Sequence, residues 1–215
     1  LTHAIARVLG VKTTTHSAAF DSIISSIGSK YDLGVAAMTI TTERESAVDM
    51  ISYINVGSQF DVQSGNPKKV DPSDHLNLCG LSVGVQVGTA QEDSMKKDAQ
   101  TCSEAGKPTL TVRSYNTQSE ASTALVGGTI DAMYSDSTVA GYAVEQTGGE
   151  LETVGKMEDA LPQGIVVAKD DPELTKAVQA AVQKLMDDGT WQKILEAWGV
   201  KDGALDKAEI NQNVE

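Results

Sequence analysis

Cysteine is nearly absent from this 215-residue chain, which carries only Cys79 and Cys102. No Cys-x-x-Cys and no histidine cluster accompanies them, so the spacings of a zinc site are excluded. Two readings of the pair stay open. It is either a disulfide closing the loop between the two positions, worth about 3 kcal/mol on the chain-entropy model, or two reduced, buried thiols. Histidine is scarce too: His3 falls in an N-terminal helical pattern, and His16 and His75 fall in loops. There is no Gly-x-Ser-x-Gly elbow, which argues against a Ser–His–Asp triad, and nothing in the sequence supports Cys–His catalysis. No stretch of 18 apolar residues occurs, so no transmembrane helix is expected. Positive charge is in deficit, with 17 Lys and Arg against 30 Asp and Glu and a net charge of −13. Such a surface argues against nucleic acid and against an anionic membrane as partners. Internal repeats and low-complexity tracts are missing as well.

What is present is an alternation of short apolar runs with helical patterns, the signature of an α/β fold with mostly parallel pairing. Strands are expected at Leu33–Met38, Ser82–Val87, Leu110–Val112, Ile130–Tyr134 and Gly164–Ala168. Phe20–Ile27 is expected as a helix with Ile23, Ile24 and Ile27 on one face. Thr89-x-x-Glu92 and Thr117-x-x-Glu120 are capping-box patterns at helix starts. Pro172 opens a long amphipathic helix with Leu174, Val178, Ala181, Val182 and Leu185 on its apolar face, and Gly189 ends it. Trp191 and Trp198 bracket one more short helix and read as packing residues, not as a stacking platform. The tail, Lys201–Glu215, is polar and weakly patterned. The chain opens in a helical pattern without a cap, which suggests natural sequence upstream. Tyr53–Gln63 and Lys156–Gln163 read as crossings between two lobes, one of them built from both ends of the chain.

Three places carry residues suited to a small charged ligand. In Leu33–Arg44 an apolar strand runs into a Thr-rich turn, and Arg44 follows in the first turn of a helix. Ligands of open α/β proteins bind just past the carboxyl ends of strands, and an Arg there suits a carboxylate or phosphate. The same order also fits a capped surface helix with an exposed Arg. Thr89 and Ala90 stand at a second helix start, where free N–H groups and the helix dipole favour an anion. No Gly-Lys-Ser/Thr follows, so this is not a Walker loop, and an ordinary capped helix is the alternative. Asp136 follows a strand and precedes a helix. It suits an ammonium group or, equally, an N-cap. Asp131, inside the strand, reads as structural.

Taken in order, a set of motifs resembles one family. They are Phe20-Asp21-Ser22-Ile23-Ile24, Lys30-Tyr31-Asp32-Leu33, Met38-Thr39-Ile40-Thr41-Thr42-Glu43-Arg44, Ala47-Val48-Asp49-Met50, Val83-Gly84-Val85-Gln86-Val87-Gly88-Thr89, Ala124–Ala132, Lys169–Leu174, Asp188–Ile194 and Trp198-Gly199. Each is loose, but the ordered set spans almost the whole chain. It is similar to family 3 of the bacterial extracellular solute-binding proteins, the polar amino-acid-binding proteins of ABC importers.

The resemblance implies a type II periplasmic-binding-protein fold, two α/β lobes joined by a two-strand hinge, with residues 1–57 and 158–215 in lobe 1 and 58–157 in lobe 2. It implies that the first strand of lobe 1, which in the family adds another aromatic to the ligand clamp, is missing here. Arg44 would hold a ligand α-carboxylate in a bidentate pair, and Thr89 and Ala90 would donate N–H groups to it. Asp136 would pair with the amine, which Thr39 and the Ala37 carbonyl would also contact, and Phe20 would pack on the ligand. No catalytic residue, metal or cofactor is implied. Met50–Asn55 and the two cysteines look like the actinobacterial variant, in which Cys79 and Cys102 would be disulfide-bonded. That variant is an exported, extracytoplasmic lipoprotein on a Gram-positive cell surface, anchored by lipid upstream of this chain. The partners implied are an amino acid and the ABC permease subunits, with a monomeric binding protein. Two alternatives share the scaffold: a cyclohexadienyl-dehydratase-like enzyme, which needs a general acid beyond the binding set, and the sensing domain of a receptor.

Overall fold

The computed structural model describes residues 1–212, the side chain of Asp159 excepted. In chain order the helices are α1 (Thr2–Leu9), α2 (Ile23–Ser26), α3 (Thr42–Ala47), α4 (Ala90–Glu104), α5 (Gln118–Val126), α6 (Ser137–Gln146), α7 (Pro172–Asp187) and α8 (Thr190–Ala197). The strands are β1 (Leu33–Thr39), β2 (Val48–Gln63), β3 (Ser82–Gln86), β4 (Thr111–Tyr115), β5 (Ala132–Asp136) and β6 (Leu151–Ala168). The chain divides into two compact units, Leu1–Val56 with Leu161–Glu215, and Gly57–Ala160. β2 and β6 each change unit within their length.

In the first unit β1 pairs antiparallel with β6. The apolar face of α7, with Val178, Ala181, Val182 and Leu185, packs with Ile51, Ile54, Ile165 and Val167 in one core. Asp171 caps α7 by accepting from Leu174 N–H at 3.0 Å, and Pro172 fills the first helical position, where no N–H is needed. Trp191 is 3% exposed, and its indole N–H donates to the Tyr53 carbonyl at 2.8 Å. Trp198, read from sequence as packing, is instead 78% exposed. It stands just past the end of α8, beyond the turn that buries Leu195. The expected helix Phe20–Ile27 is a 3₁₀ turn, Phe20–Ser22, followed by the single turn of α2. The reason lies in its serines. Ser22, Ser25 and Ser26 hydroxyls donate to carbonyls three or four residues back, competing with the helical ladder.

The tail is part of this unit's fold despite its weak pattern. Ser52 N–H donates to Glu209 O at 2.9 Å, Asn211 N–H donates to Met50 O at 2.9 Å, and Ala208 is fully buried. The tail's last three positions lie outside the described residues.

In the second unit β3 pairs parallel with β4 and β5, while β2 pairs antiparallel with β5. The pairing is therefore mixed, not mostly parallel. The antiparallel pairings β1–β6 and β2–β5 each involve β2 or β6, the long strands that run through both units, whereas the crossovers through α4 and α5 keep β3, β4 and β5 parallel. Phe60, Val62, Val83, Val85, Met95 and Leu110 build one core, and Leu125, Ile130, Met133 and Leu151 another. The Thr117–Glu120 capping box forms in both directions. Cys79 and Cys102 are joined by a disulfide, with Cα atoms 5.6 Å apart, which ties the turn before β3 to α4.

Two titratable groups in this unit are shifted. Asp61 is fully buried between β-strands, and one of its oxygens has no hydrogen-bond partner. Burial pushes its carboxyl up to about 6, against a smaller opposing effect of the hydrogen bond from Thr153. His75 bonds Asp98 at 2.7 Å and Glu158 at 3.2 Å. Burial alone would lower its pKa, but the two carboxylates outweigh this and hold the ring above its usual value.

Candidate functional site

The seven residues singled out from sequence fall into two groups, one in each unit. The first group is built on an irregular strand. β1 pairs with β6 at Leu33 and Gly34 and again at Met38 and Thr39, but between these registers β1 advances four residues while β6 advances two. The excess forms a bulge, which frees backbone groups from the ladder and re-aims them. Ala37 sits in the bulge with φ of 51°, in the left-handed region that costs a non-glycine residue about 1 kcal/mol. Gly34, at the start of the irregular stretch, has no room for a side chain: a Cβ there would meet Val166 at 2.4 Å and Ile23 at 2.6 Å.

Thr39 ends β1, only 8% exposed. Thr41 then caps α3, its hydroxyl accepting from Arg44 N–H at 3.3 Å. That cap turns the Arg44 side chain back over the strand end. Its Nη1 donates to the Thr39 carbonyl at 2.7 Å, and its guanidinium carbon lies 5.7 Å from the centre of the Phe20 ring. The guanidinium is braced on a carbonyl and an aromatic face, and its planar fork matches a carboxylate. The structure thus brings Phe20, Thr39 and Arg44 together, with Ala37 in the adjoining bulge.

The second group centres on the start of α4. Gly88 adopts φ of 76°, which turns the chain out of β3. Thr89 is the N-cap: its hydroxyl accepts from Glu92 N–H at 3.2 Å and donates to Gln86 O at 2.7 Å. The capping box is only half formed, because the Glu92 carboxylate accepts from Gly88 N–H at 2.8 Å and not from Thr89. It also accepts from the Ser114 hydroxyl and pairs with Lys96 at 3.0 Å. Burial would raise the pKa of Glu92, but these donors outweigh it and hold the carboxyl below its usual value. Ala90 occupies the first helical position, where the helix itself supplies no acceptor for the N–H.

Asp136 stands at the start of α6, yet its side chain makes no capping hydrogen bond. Its Oδ1 accepts instead from Gln91 Nε2 at 2.8 Å. The same nitrogen donates to Ser58 Oγ at 2.8 Å. Thus Asp136 is tied to the element that carries Thr89 and Ala90. Gln91 and Ser58 were not singled out from sequence. A glutamine inside a helix and a serine inside a long strand give no periodic or spacing signal; only the three-dimensional approach of α4, β2 and β5 reveals them.

Comparison with known proteins gives the family. The model of the bacterial extracellular solute-binding proteins, family 3, matches residues 1–201. The chain belongs to that family. The arginine-binding protein ArgT of Corynebacterium glutamicum is 35% identical over 214 residues, covering 99% of this chain and 69% of that protein. The L-cystine-binding protein TcyJ of Escherichia coli is 29% identical over 196 residues, covering 90% of this chain and 70% of that one. Among solved structures, an ancestral arginine-binding protein bound to arginine aligns with a TM-score of 0.82 at 35% identity, over 92% of this chain and 84% of that chain. The same kind of ancestral protein bound to glutamine aligns with a TM-score of 0.83 over 93% of this chain and 85% of that one. The fold of this family 3 protein is accordingly the type II periplasmic-binding-protein fold. These relatives are binding proteins, and family 3 membership makes this chain a solute-binding protein and not an enzyme. No helix among the described residues is long and apolar enough to cross a membrane.

Proposed function

We propose that this protein captures an amino acid outside the cytoplasm and delivers it to the membrane subunits of an ABC importer. In this reading the two groups serve one zwitterion. Arg44 takes the α-carboxylate in a bidentate pair, joined by the N–H groups of Thr89 and Ala90. Asp136 takes the amine, with the Ala37 carbonyl and the Thr39 hydroxyl as further acceptors, and Phe20 supplies an apolar contact. The observation that carries the reading is the pose of Arg44, braced by the Thr39 carbonyl and the Phe20 ring beside a bulged strand end. A guanidinium held in this pose suits the two oxygens of a carboxylate.

L-Arginine is the first ligand to test and L-glutamine the second. Relatives that bind arginine by name, and ancestral structures holding arginine or glutamine, support this choice. The net charge of −13 also favours approach of a cationic solute. Ligand capture follows the general logic of binding-driven closure, in which contacts from both groups favour the liganded state. The disulfide, together with the family, supports an exported protein, and a monomer lipid-anchored on a Gram-positive surface completes the proposal. A thermal-shift screen of the common amino acids tests the function: L-arginine is expected to raise the melting temperature in proportion to the logarithm of its concentration. No shift with any amino acid would overturn the reading.

A further inference from the structure

Gln91 is 6% exposed and sits in the first turn of α4, one residue past Ala90. Its amide nitrogen carries two hydrogens, and both are used: one donated to Ser58 Oγ and one to Asp136 Oδ1, each at 2.8 Å. A carboxylate can only accept, so the amide must present nitrogen and not oxygen to Asp136. Ser58 and Asp136 are themselves direct partners in the β2–β5 register. One buried amide therefore bridges both members of a cross-strand pair from a third element. Asp136, by contrast, receives no support from the usual role of an acid at a helix start, since it caps nothing with its side chain.

We infer that Gln91, anchored by Ser58, is the positioning residue for Asp136: it fixes the carboxylate's orientation, so that the acid is set to receive an ammonium group. The inference rests on the proposed amine-binding role of Asp136. It assigns to Gln91 a contribution to selecting amino acids over otherwise identical acids that lack the amine. A donor to a carboxylate removes the rotational freedom that an acid at the end of a strand would otherwise lose only on binding.

The test is calorimetry on the full chain with two probes, L-arginine and its deaminated analogue 5-guanidinopentanoic acid. Gln91→Leu is expected to weaken L-arginine about 10-fold, the size of one hydrogen bond to a charged group, and to change the analogue less than about 2-fold. Ser58→Ala, which leaves the Gln91–Asp136 bond but removes its anchor, is expected to give a smaller loss with the same selectivity. In Gln91→Glu, two carboxyls face each other and share a proton more readily at low pH. L-Arginine affinity is then expected to fall at pH 7.5 and recover towards pH 5.5, while the wild type stays flat. That pH profile decides the matter even if Gln91→Leu folds poorly. Equal losses for both probes, or independent multiplication of the Gln91→Leu and Asp136→Asn effects in the double variant, would overturn the positioning role while leaving Asp136 as the amine ligand. If the wild type does not discriminate the two probes, or binds neither, the amine reading itself falls, and the inference with it.

Discussion

The two groups of site residues are held by opposite means. In the first unit a single strong charge rests on neutral supports, a carbonyl and an aromatic ring, at the end of a strand distorted by a bulge with Ala37 in the left-handed region. In the second unit the polar groups hold one another: Thr89 accepts from the Glu92 backbone N–H, Glu92 is held by Ser114 and Lys96, and Asp136 by Gln91. One group is a guanidinium braced by a carbonyl and a ring. The other is a network in which an acid and a set of backbone donors are oriented in advance. On the proposed assignment, carboxylate and amine recognition would place different demands on a fold. Arg already carries a rigid planar fork and needs little more than a brace. A short Asp and exposed N–H groups have no built-in geometry and need a shell around them.

The sharpest test of that contrast is Arg44→Ala. It should weaken L-arginine by roughly 2–5 kcal/mol in calorimetry, with a smaller loss of stability from the hydrogen bond to Thr39 and the contact with Phe20. A large loss of stability with little loss of affinity would reverse the comparison. Next in size, replacing Cys79 and Cys102 together by Ser should destabilise the second unit by about 3 kcal/mol, read as loss of protection in hydrogen exchange at α4 and β3. Equal loss in α7 and α8 would show that the two units do not open separately.

Asp61 gives a smaller effect with a definite sign. Its folded-state pKa of about 6 lies above its ordinary 3.8. The folded state therefore holds its proton more tightly, and this stabilisation is present below about pH 4 and lost as pH rises through 6. Asp61→Asn should raise stability at pH 7 by about 1–2 kcal/mol and flatten the decline between pH 4 and 7, as measured by urea unfolding. An unchanged pH profile would show that Asp61 is not the group responsible. His75, held above its usual value, adds a further decline above about pH 6.5 that His75→Gln should remove. The smallest expected change is Ala37→Gly. Relief of about 1 kcal/mol of left-handed strain is largely offset by the greater freedom of glycine in the unfolded chain, leaving a gain of a few tenths of a kcal/mol. A clear loss of stability would mean that the bulge does not hold Ala37 at positive φ.

Much of this was legible because it is local. The Thr117–Glu120 box, Pro172 at the head of α7 and the apolar face of that helix depend on neighbours within four residues, and the structure has all three. Arg44 in the first turn of a helix after an apolar strand was legible for the same reason, as was Thr89 at the start of α4. Where the sequence misled, a competing interaction was at work. Serine hydroxyls shortened the helix at Phe20–Ile27, Glu92 bonded Gly88 in place of Thr89, and Trp198 fell beyond the turn that buries its neighbours. The bulge in β1 had no signal, since Val35, Ala36 and Ala37 read as ordinary strand residues.

The alternation of short apolar runs with capped helices, and the charged residues at the helix starts, were determined by the sequence alone, through spacing and side-chain chemistry. Only the tertiary structure decided what those charges rest on. Bringing Gln91 of α4 to Ser58 of β2 and Asp136 of β5, turning Arg44 onto Thr39 and Phe20, and seating Glu209 and Asn211 along β2 are contacts across long separations. Their partners are chosen by how the elements pack, and packing leaves no periodic mark in the chain.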